Sequence, residues 1–260
     1  MPFPISNAKL LLVAAILAAG SSARAESAFE LSYPLDFGRI PAITYDERGE
    51  RIGEARVVIE SLEDGQIRMA TQSASREGAR TEASAWFAPV EPSHRLRLIR
   101  QESSSLDPEG HSLGHLVVDH LARQATCKVS ESEDTQQIAL PPVDRIVNVP
   151  MNLLFMPLVR GETRSLKFQL FLCRDGARTM NFEAWVRRKP SKRSDPIEVR
   201  YAPDFGSVVS LMARGFAPRL SFWFDPSEPH GWLGHRLPLY SGGPEVLVVR
   251  DGISAGSLAN

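Results

Sequence analysis

The chain has 260 residues, of which 43% are hydrophobic and 23% charged, and its formal net charge is −1 at pH 7. The hydrophobic fraction is sufficient for a sizeable core, and the length suits one large β domain or two small ones. Binding to a nucleic-acid phosphate backbone requires an excess of positively charged residues. This chain has no such excess, so its composition argues against a nucleic-acid partner.

The first 25 residues have the order of a secretory signal peptide. Lys9 lies in a short start without acidic residues, residues 10–19 form an apolar run, and residues 23–25 (Ala-Arg-Ala) supply a small-residue cleavage site. The run is too short to cross the roughly 30 Å hydrocarbon core of a bilayer. We therefore expect a periplasmic mature chain of residues 26–260, one domain without a membrane span. The alternative interpretation is a short buried helix.

Most of the mature chain alternates apolar and polar residues between turn residues, which is typical of strands with one buried face. Predicted strands cover residues 55–62, 66–73, 80–87, 95–104, 113–119, 166–173, 180–186, 197–201, 219–224 and 245–250. Hairpin turns are predicted at residues 64–65, 107–110 and 174–176. This regular spacing predicts a mainly β fold, an antiparallel meander that forms a curved half-barrel or open barrel.

Helix signals are few by comparison. The best candidate is the apolar segment of residues 148–157, in which Asn148 could cap the helix and Pro157 would limit it. A second, weaker candidate is the segment of residues 205–213. We therefore expect one or two short helices.

The mature chain contains two cysteines, Cys127 and Cys173. In an oxidising compartment the simplest interpretation is one disulfide between them. The functional alternative is a redox pair, but the C-x-x-C spacing typical of such pairs is absent. The sequence therefore favours a structural bond.

The candidate metal ligands are three residues at four-residue intervals, His111, His115 and Asp119. On a helix they could share an ion. Gly110 and Gly114 oppose a helix, however, and on a strand the two histidines would lie roughly 13 Å apart at about 3.3 Å per residue. We therefore expect no metal here.

Other enzyme signals are equally weak. Residues 252–256 spell G-x-S-x-G, but the four residues that follow are too few for the helix, acid and histidine of a nucleophile elbow. We expect a frayed C-terminal tail instead. His230 and His235 flank residues 231–234 and are predicted to be surface residues of a loop. No motif identifies a reaction or a cofactor.

Four short motifs occur in a distinctive order: Leu-Pro-Pro at residues 140–142, Gly161, Trp-Phe-Asp-Pro at 223–226 and Arg-Leu-Pro at 236–238. This order resembles the proteobacterial family called domain of unknown function 3108, with residues 227–234 as an insertion. That family is similar to periplasmic lipoprotein-carrier half-barrels, in which a curved antiparallel sheet encloses an apolar hollow plugged by helices. The resemblance implies this fold and no catalytic residues.

The implied fold leads to the hypothesis of a periplasmic protein that binds or carries an apolar, lipid-like ligand, with residues 146–159 as a plug or lid. The candidate ligand-lining residues share an adaptable apolar surface: Met151, Leu153, Leu154, Phe155 and Met156. The alternative is that they form an ordinary core. Two other classes stay open: an envelope assembly or protein-interaction module that uses a sheet edge or apolar patch, and a hydrolase without a recognisable motif.

Overall fold

The computed structural model describes residues 30–32, 37–93, 95–130, 134–141, 144–173, 176–188, 192, 194–204, 220–239 and 243–258. The predicted signal peptide, residues 1–25, and the second helix candidate, residues 205–213, lie outside these ranges. No helix in the described ranges is long and apolar enough to cross a membrane.

Within these ranges the chain forms one antiparallel sheet of fifteen strands. The strands are β1 (Glu30–Ser32), β2 (Gly38–Tyr45), β3 (Arg51–Ser61), β4 (Ile67–Ser75), β5 (Arg80–Val90), β6 (Arg95–Leu106), β7 (Ser112–Asp119), β8 (Gln124–Lys128), β9 (Gln136–Ala139), β10 (Ser165–Cys173), β11 (Ala177–Arg188), β12 (Ile197–Pro203), β13 (Leu220–Phe224), β14 (Trp232–Pro238) and β15 (Glu245–Arg250). Two short helices, α1 (Met151–Leu154) and α2 (Met156–Val159), lie between β9 and β10.

The sheet consists of two meanders that join in the middle. Strands β2 to β9 pair in chain order, strands β10 to β15 do the same, and β15 pairs with β2. The predicted mainly β meander with short helices is therefore confirmed. Five strands were not predicted, namely β1, β2, β8, β9 and β14. Pro41 and Gly234 interrupt β2 and β14, and β1, β8 and β9 are only three, five and four residues long.

The inner face of the sheet changes character along the strands. Cross-strand partners at one end are large and buried, as in the row Ile67, Phe87 and Leu98. Four or five residues further along the same strands, the row Thr71, Ala83 and Ser103 consists of small, half-buried side chains. Because side chains on one face repeat every second residue, whole rows share this difference. One end of the sheet is therefore filled, and the other has room.

The two helices fill the first end. Phe155, the residue between them, is fully buried, and its ring centroid lies 5.9 Å from that of Phe168, 5.7 Å from Tyr201 and 5.3 Å from Phe222. The helix prediction was right in place but wrong in detail. Asn148 makes no cap, and Pro157 lies in the first turn of α2, where a missing N–H is tolerated.

Asn148 instead completes an edge of the sheet. Its side chain donates to the Phe171 carbonyl (2.8 Å) and accepts from the Phe171 N–H (2.9 Å). Next to it, the Val147 N–H donates to the Gln169 carbonyl (2.9 Å), and the Gln169 N–H donates to the Arg145 carbonyl (2.9 Å). The segment before α1 therefore lies along β10 like a short parallel strand and holds the helices against the sheet.

The disulfide joins the two end regions of the sheet. Cys127 on β8 and Cys173 on β10 lie at disulfide distance, with their sulfurs 2.11 Å apart, in agreement with the predicted pairing. Gly114 on β7 permits this approach, because a Cβ there would lie 3.0 Å from the Cys173 carbonyl oxygen at a φ of +143°. A small second core lies at this junction, formed by Val118, Ala125, Cys127, Leu140, Ile146, Phe171 and Cys173. We call this junction the seam.

A buried polar network fixes the segment before α1. Gln101 on β6 is fully buried; its Oε1 accepts from the N–H groups of Asn148 (2.6 Å) and Val149 (3.0 Å), and its Nε2 donates to the Ile146 carbonyl (2.8 Å). The second Nε2 proton points to His120 Nε2 (2.8 Å). His120 Nε2 is therefore the acceptor. His120 Nδ1 lies 2.9 Å from Asp144 Oδ1 but makes no hydrogen bond of good geometry with it.

Replacement of Gln101 by leucine keeps the volume but removes every one of these bonds. Two backbone N–H groups and a carbonyl then stay buried without partners, which we expect to lower the free energy of unfolding by about 3 kcal/mol. Urea denaturation measures this loss. The matched control is Gln137→Leu on β9, where the side chain is exposed and a change below about 0.5 kcal/mol is expected. Equal losses in the two variants would contradict the role of Gln101.

The C-terminal segment is packed, so the expectation of a frayed tail was wrong for residues 251–258. Leu258 is 2% exposed and lies in a cluster with Trp223, Leu233 and Val249 on the outer face. Residues 259 and 260 lie outside the described ranges. The G-x-S-x-G segment forms a turn followed by the single 3-10 turn Ala255–Ser257.

Candidate ligand-binding site

A cavity of about 470 Å³ occupies the end of the curved sheet that the helices leave open. Its volume lies in the range of about 300–1,000 Å³ that is usual for small-molecule sites. Strands from both meanders and the start of α1 contribute to its wall. The cavity therefore exists because small residues replace large ones in the rows beyond the filled core.

One part of the cavity lining carries hydroxyl groups, next to the apolar side chains of Ala55, Val57, Met69 and Ala83. We call it the hydroxyl wall; it comprises Thr71, Ser73, Thr81, Ser103 and Ser105 on β4, β5 and β6. The Thr81 hydroxyl lies 3.3 Å from the Ser105 hydroxyl and donates to the Leu239 carbonyl (3.1 Å). These side chains make the wall polar without introducing a charge.

The opposite wall is aliphatic and aromatic. We call it the apolar wall; it comprises Leu170, Leu172, Leu220, Phe222, Leu237, Val246 and Val248 on β10, β13, β14 and β15, together with Leu239, which follows β14. Trp232 and Tyr201 lie beside it. The cavity is therefore amphipathic across its width, with a neutral polar side and an apolar side.

His235 is the exception within the apolar side, and its prediction as a surface loop residue was wrong. It lies on β14 between Phe222 of β13 and Val248 of β15 and faces the cavity. Its ring centroid is 5.2 Å from that of Phe222 and 5.5 Å from that of Trp232. Burial lowers its pKa to about 4, because the cationic form would lose its hydration. His235 is therefore a neutral imidazole at pH 7.

This burial predicts a contribution of His235 to acid sensitivity. Unfolded His235 binds its proton near pH 6.5 and the folded form only near pH 4, so the unfolded state binds more protons between these values. Stability should therefore fall as the pH falls from 6.5 to 4, and His235→Phe should reduce this fall in urea denaturation at several pH values. Gln137→Phe, at an exposed and uncharged site on β9, is the control and should keep the parent pH dependence. Identical profiles for the parent and His235→Phe would contradict the prediction.

Tyr201 is the second polar group next to the apolar wall. It is 4% exposed, and burial raises the pKa of its phenol well above the ordinary value. Its ring centroid lies 6.4 Å from that of Phe222, which separates it from His235. Tyr201 therefore stays a neutral hydroxyl and adds no charge to the cavity.

The five residues predicted to line a ligand site lie in two different environments. Met151 belongs to the cavity wall. Leu153, Leu154, Phe155 and Met156 are at most 7% exposed and belong to the core cluster, not to the cavity wall. Their apolar surface is used for packing. The hydroxyl wall was missed, because its residues come from three strands and show no local pattern.

The other candidate histidines lie outside the cavity wall. His115 Nε2 lies 2.9 Å from Glu102 Oε1 across strands β7 and β6. His111 lies in the turn before β7, where its Nδ1 is 3.1 Å from Asp107 Oδ2. His230 also lies in a turn, with Nδ1 2.9 Å from the Asp225 carbonyl oxygen.

Comparison with known proteins identifies no family for this chain. No family model matches it, and no curated protein matches it. A crystal structure of a beta-barrel-like protein of domain of unknown function DUF1849 from Brucella abortus is 10% identical; the match covers 82% of this chain and 94% of that chain, with a TM-score of 0.42. A likeness this distant says nothing about the chemistry of the cavity. The resemblance to domain of unknown function 3108 stays a prediction.

Proposed function

We propose that this protein is exported to the periplasm and binds or carries an apolar, lipid-like ligand in the cavity. The observation that carries the proposal is the cavity of about 470 Å³ with its apolar wall of residues from four strands. Apolar concave sites of this size with a few polar groups are the usual form of small-molecule sites. Burial of a ligand's apolar surface against this wall would supply roughly 25 cal/mol per Å² removed from water.

The rival proposal of a protein-interaction module has less support from the surface. Docking sites for proteins usually show a contiguous apolar patch. Among the described residues the large hydrophobic side chains that are exposed are Phe37 (46%) and Leu121 (72%). Single exposed residues of this kind are normal for a folded protein. The observations therefore favour a ligand in the cavity over a partner on the surface.

A pair of serine variants tests whether the cavity binds the ligand. Ser103 belongs to the hydroxyl wall, whereas Ser104 alternates with it and pairs with Glu82 and His115 on the outer face. Ser103→Phe should fill part of the cavity, and Ser104→Phe should leave it unchanged.

The measurement is a fluorescence titration with the apolar dye N-phenylnaphthylamine. We expect the parent and Ser104→Phe to bind alike, and Ser103→Phe to bind at least roughly tenfold more weakly, about 1.4 kcal/mol. Absence of dye binding by the parent would contradict the proposal. Equal affinity of all three proteins would place the dye elsewhere and contradict it too.

Export has its own test. If residues 1–25 are a signal peptide, the protein isolated from the producing cells should begin at Glu26. Intact-mass measurement and release of the protein by osmotic shock check this expectation. A protein that stays in the cytoplasmic fraction with residues 1–25 attached would contradict the export proposal and leave the cavity proposal intact.

A further inference from the structure

His235 is a polar group of the cavity wall that makes no hydrogen bond within the described residues, and the Ser73 hydroxyl is another. The His235 ring packs between Phe222 and Trp232, at centroid distances of 5.2 and 5.5 Å. The residue is half-buried and lies in the cavity lining, so its ring nitrogens can meet a molecule in the cavity. The imidazole offers one donor and one acceptor, and both are available to a molecule in the cavity.

The aromatic neighbours hold this imidazole in one place. Phe222 lies on β13 directly opposite His235, and the Trp232 ring contacts the imidazole from the same strand. Trp232 and Phe222 are 7% and 5% exposed, so both rings are fixed by packing. A donor and an acceptor on a rigid support give a ligand a defined position at low entropic cost.

The surroundings also define the charge of the group that His235 would bind. On the inner face, the ionisable side chains of the described cavity wall are His235 and Tyr201, and both are neutral at pH 7. Arg56 borders the cavity, but it alternates with Ala55 and Val57, and its side chain donates to Gln72 on the outer face. A carboxylate or phosphate in the cavity would therefore be buried without a cation, which is strongly unfavourable.

We propose that His235 is the specificity-determining residue of the cavity, and that it selects apolar ligands carrying an uncharged group that both donates and accepts hydrogen bonds, such as an amide or an alcohol. This inference rests on the proposed function and deepens it. The ligand's apolar part lies along the apolar wall, and its polar group lies against the imidazole. A hydrogen bond formed there satisfies a protein group that has no partner within the described residues.

The test compares three molecules with equal chain length: octanamide, octanoate and octane. Each competes with N-phenylnaphthylamine for the parent protein at pH 7. We call the ratio of octanamide affinity to octane affinity the octanamide preference. It should be roughly tenfold larger in the parent than in a variant without the imidazole, which corresponds to about one well-formed hydrogen bond. Octanoate should bind more weakly than octanamide.

Two substitutions at His235 separate its hydrogen bonds from its packing. His235→Phe keeps an aromatic ring and should bind octane as the parent does, but with an octanamide preference roughly tenfold lower than that of the parent. His235→Gln retains a donor and an acceptor and should recover part of the preference. The imidazole nitrogen chemical shifts of the parent provide a readout without any substitution, and they should move with octanamide and stay in place with octane.

The outcomes are distinguishable. An unchanged octanamide preference in His235→Phe, or unmoved imidazole shifts in the parent, would overturn the inference while the cavity still binds apolar molecules. Tighter binding of octanoate than of octanamide would also overturn it, since the site would then favour an anion. Failure of the parent to bind any of the three molecules or the dye would overturn the proposed function itself, and this inference with it.

Discussion

Replacement of Phe155 by alanine should lower the free energy of unfolding by about 4 kcal/mol, which is within the range found for truncation of a buried aromatic side chain. Phe155 is 0% exposed, and its ring contacts Phe168 of β10, Tyr201 of β12 and Phe222 of β13. Truncation removes these contacts and leaves a void that the surrounding strands can fill only partly. Urea denaturation monitored by circular dichroism measures the loss.

Leu121→Ala is the control, because Leu121 is 72% exposed. We expect a loss below about 1 kcal/mol for this variant. The Phe155 substitution also bears on the cavity, since Phe222 belongs to both the aromatic cluster and the apolar wall. A loss of the same small size in both variants would show that the helices do not fill the end of the sheet as described.

Removal of the disulfide should cost a similar amount. Cys127 and Cys173 are 46 residues apart, and in the chain-entropy model a loop of this length stabilises the folded state by about 4 kcal/mol. The double variant Cys127→Ala/Cys173→Ala should therefore unfold at a lower urea concentration than the parent. Both cysteines belong to the buried core of the seam, so alanine also removes some packing.

The reducing agent dithiothreitol supplies the control for this prediction. It should destabilise the parent nearly as much as the double substitution does, and it should leave the double variant unchanged. Thiol titration verifies that the disulfide has been reduced. If the oxidised and the reduced parent then unfold at the same urea concentration, the disulfide at the seam has no stabilising role.

The fold could be predicted from the sequence because most strands bury one face. In β10, Leu166, Phe168, Leu170 and Leu172 alternate with other residues and do lie on the inner face. Strand β14 shows the limit of this approach. Gly234 interrupts its pattern, and only the structure reveals that a Cβ there would lie 2.6 Å from the Val248 carbonyl oxygen and 2.8 Å from a Leu258 methyl carbon.

The site was harder to predict, because it depends on which strands become neighbours. The apolar run around Phe155 is conspicuous in the sequence, but the filled end of the sheet uses most of it for packing. The cavity is defined by small side chains such as Ser103 and Thr81, which come together only through the pairing of β5 and β6. His235 was misassigned for the same reason: its apolar neighbour Phe222 belongs to another strand.

The central claim, that the cavity holds an apolar ligand, is tested most directly by native mass spectrometry of protein purified without detergent from the cells that produce it. The spectrum is recorded before and after extraction with organic solvent. The account predicts an added mass in stoichiometric amount that extraction removes, from a molecule with an apolar portion and an uncharged polar group. A protein that carries no such molecule, and binds none of the apolar probes after extraction, would contradict it.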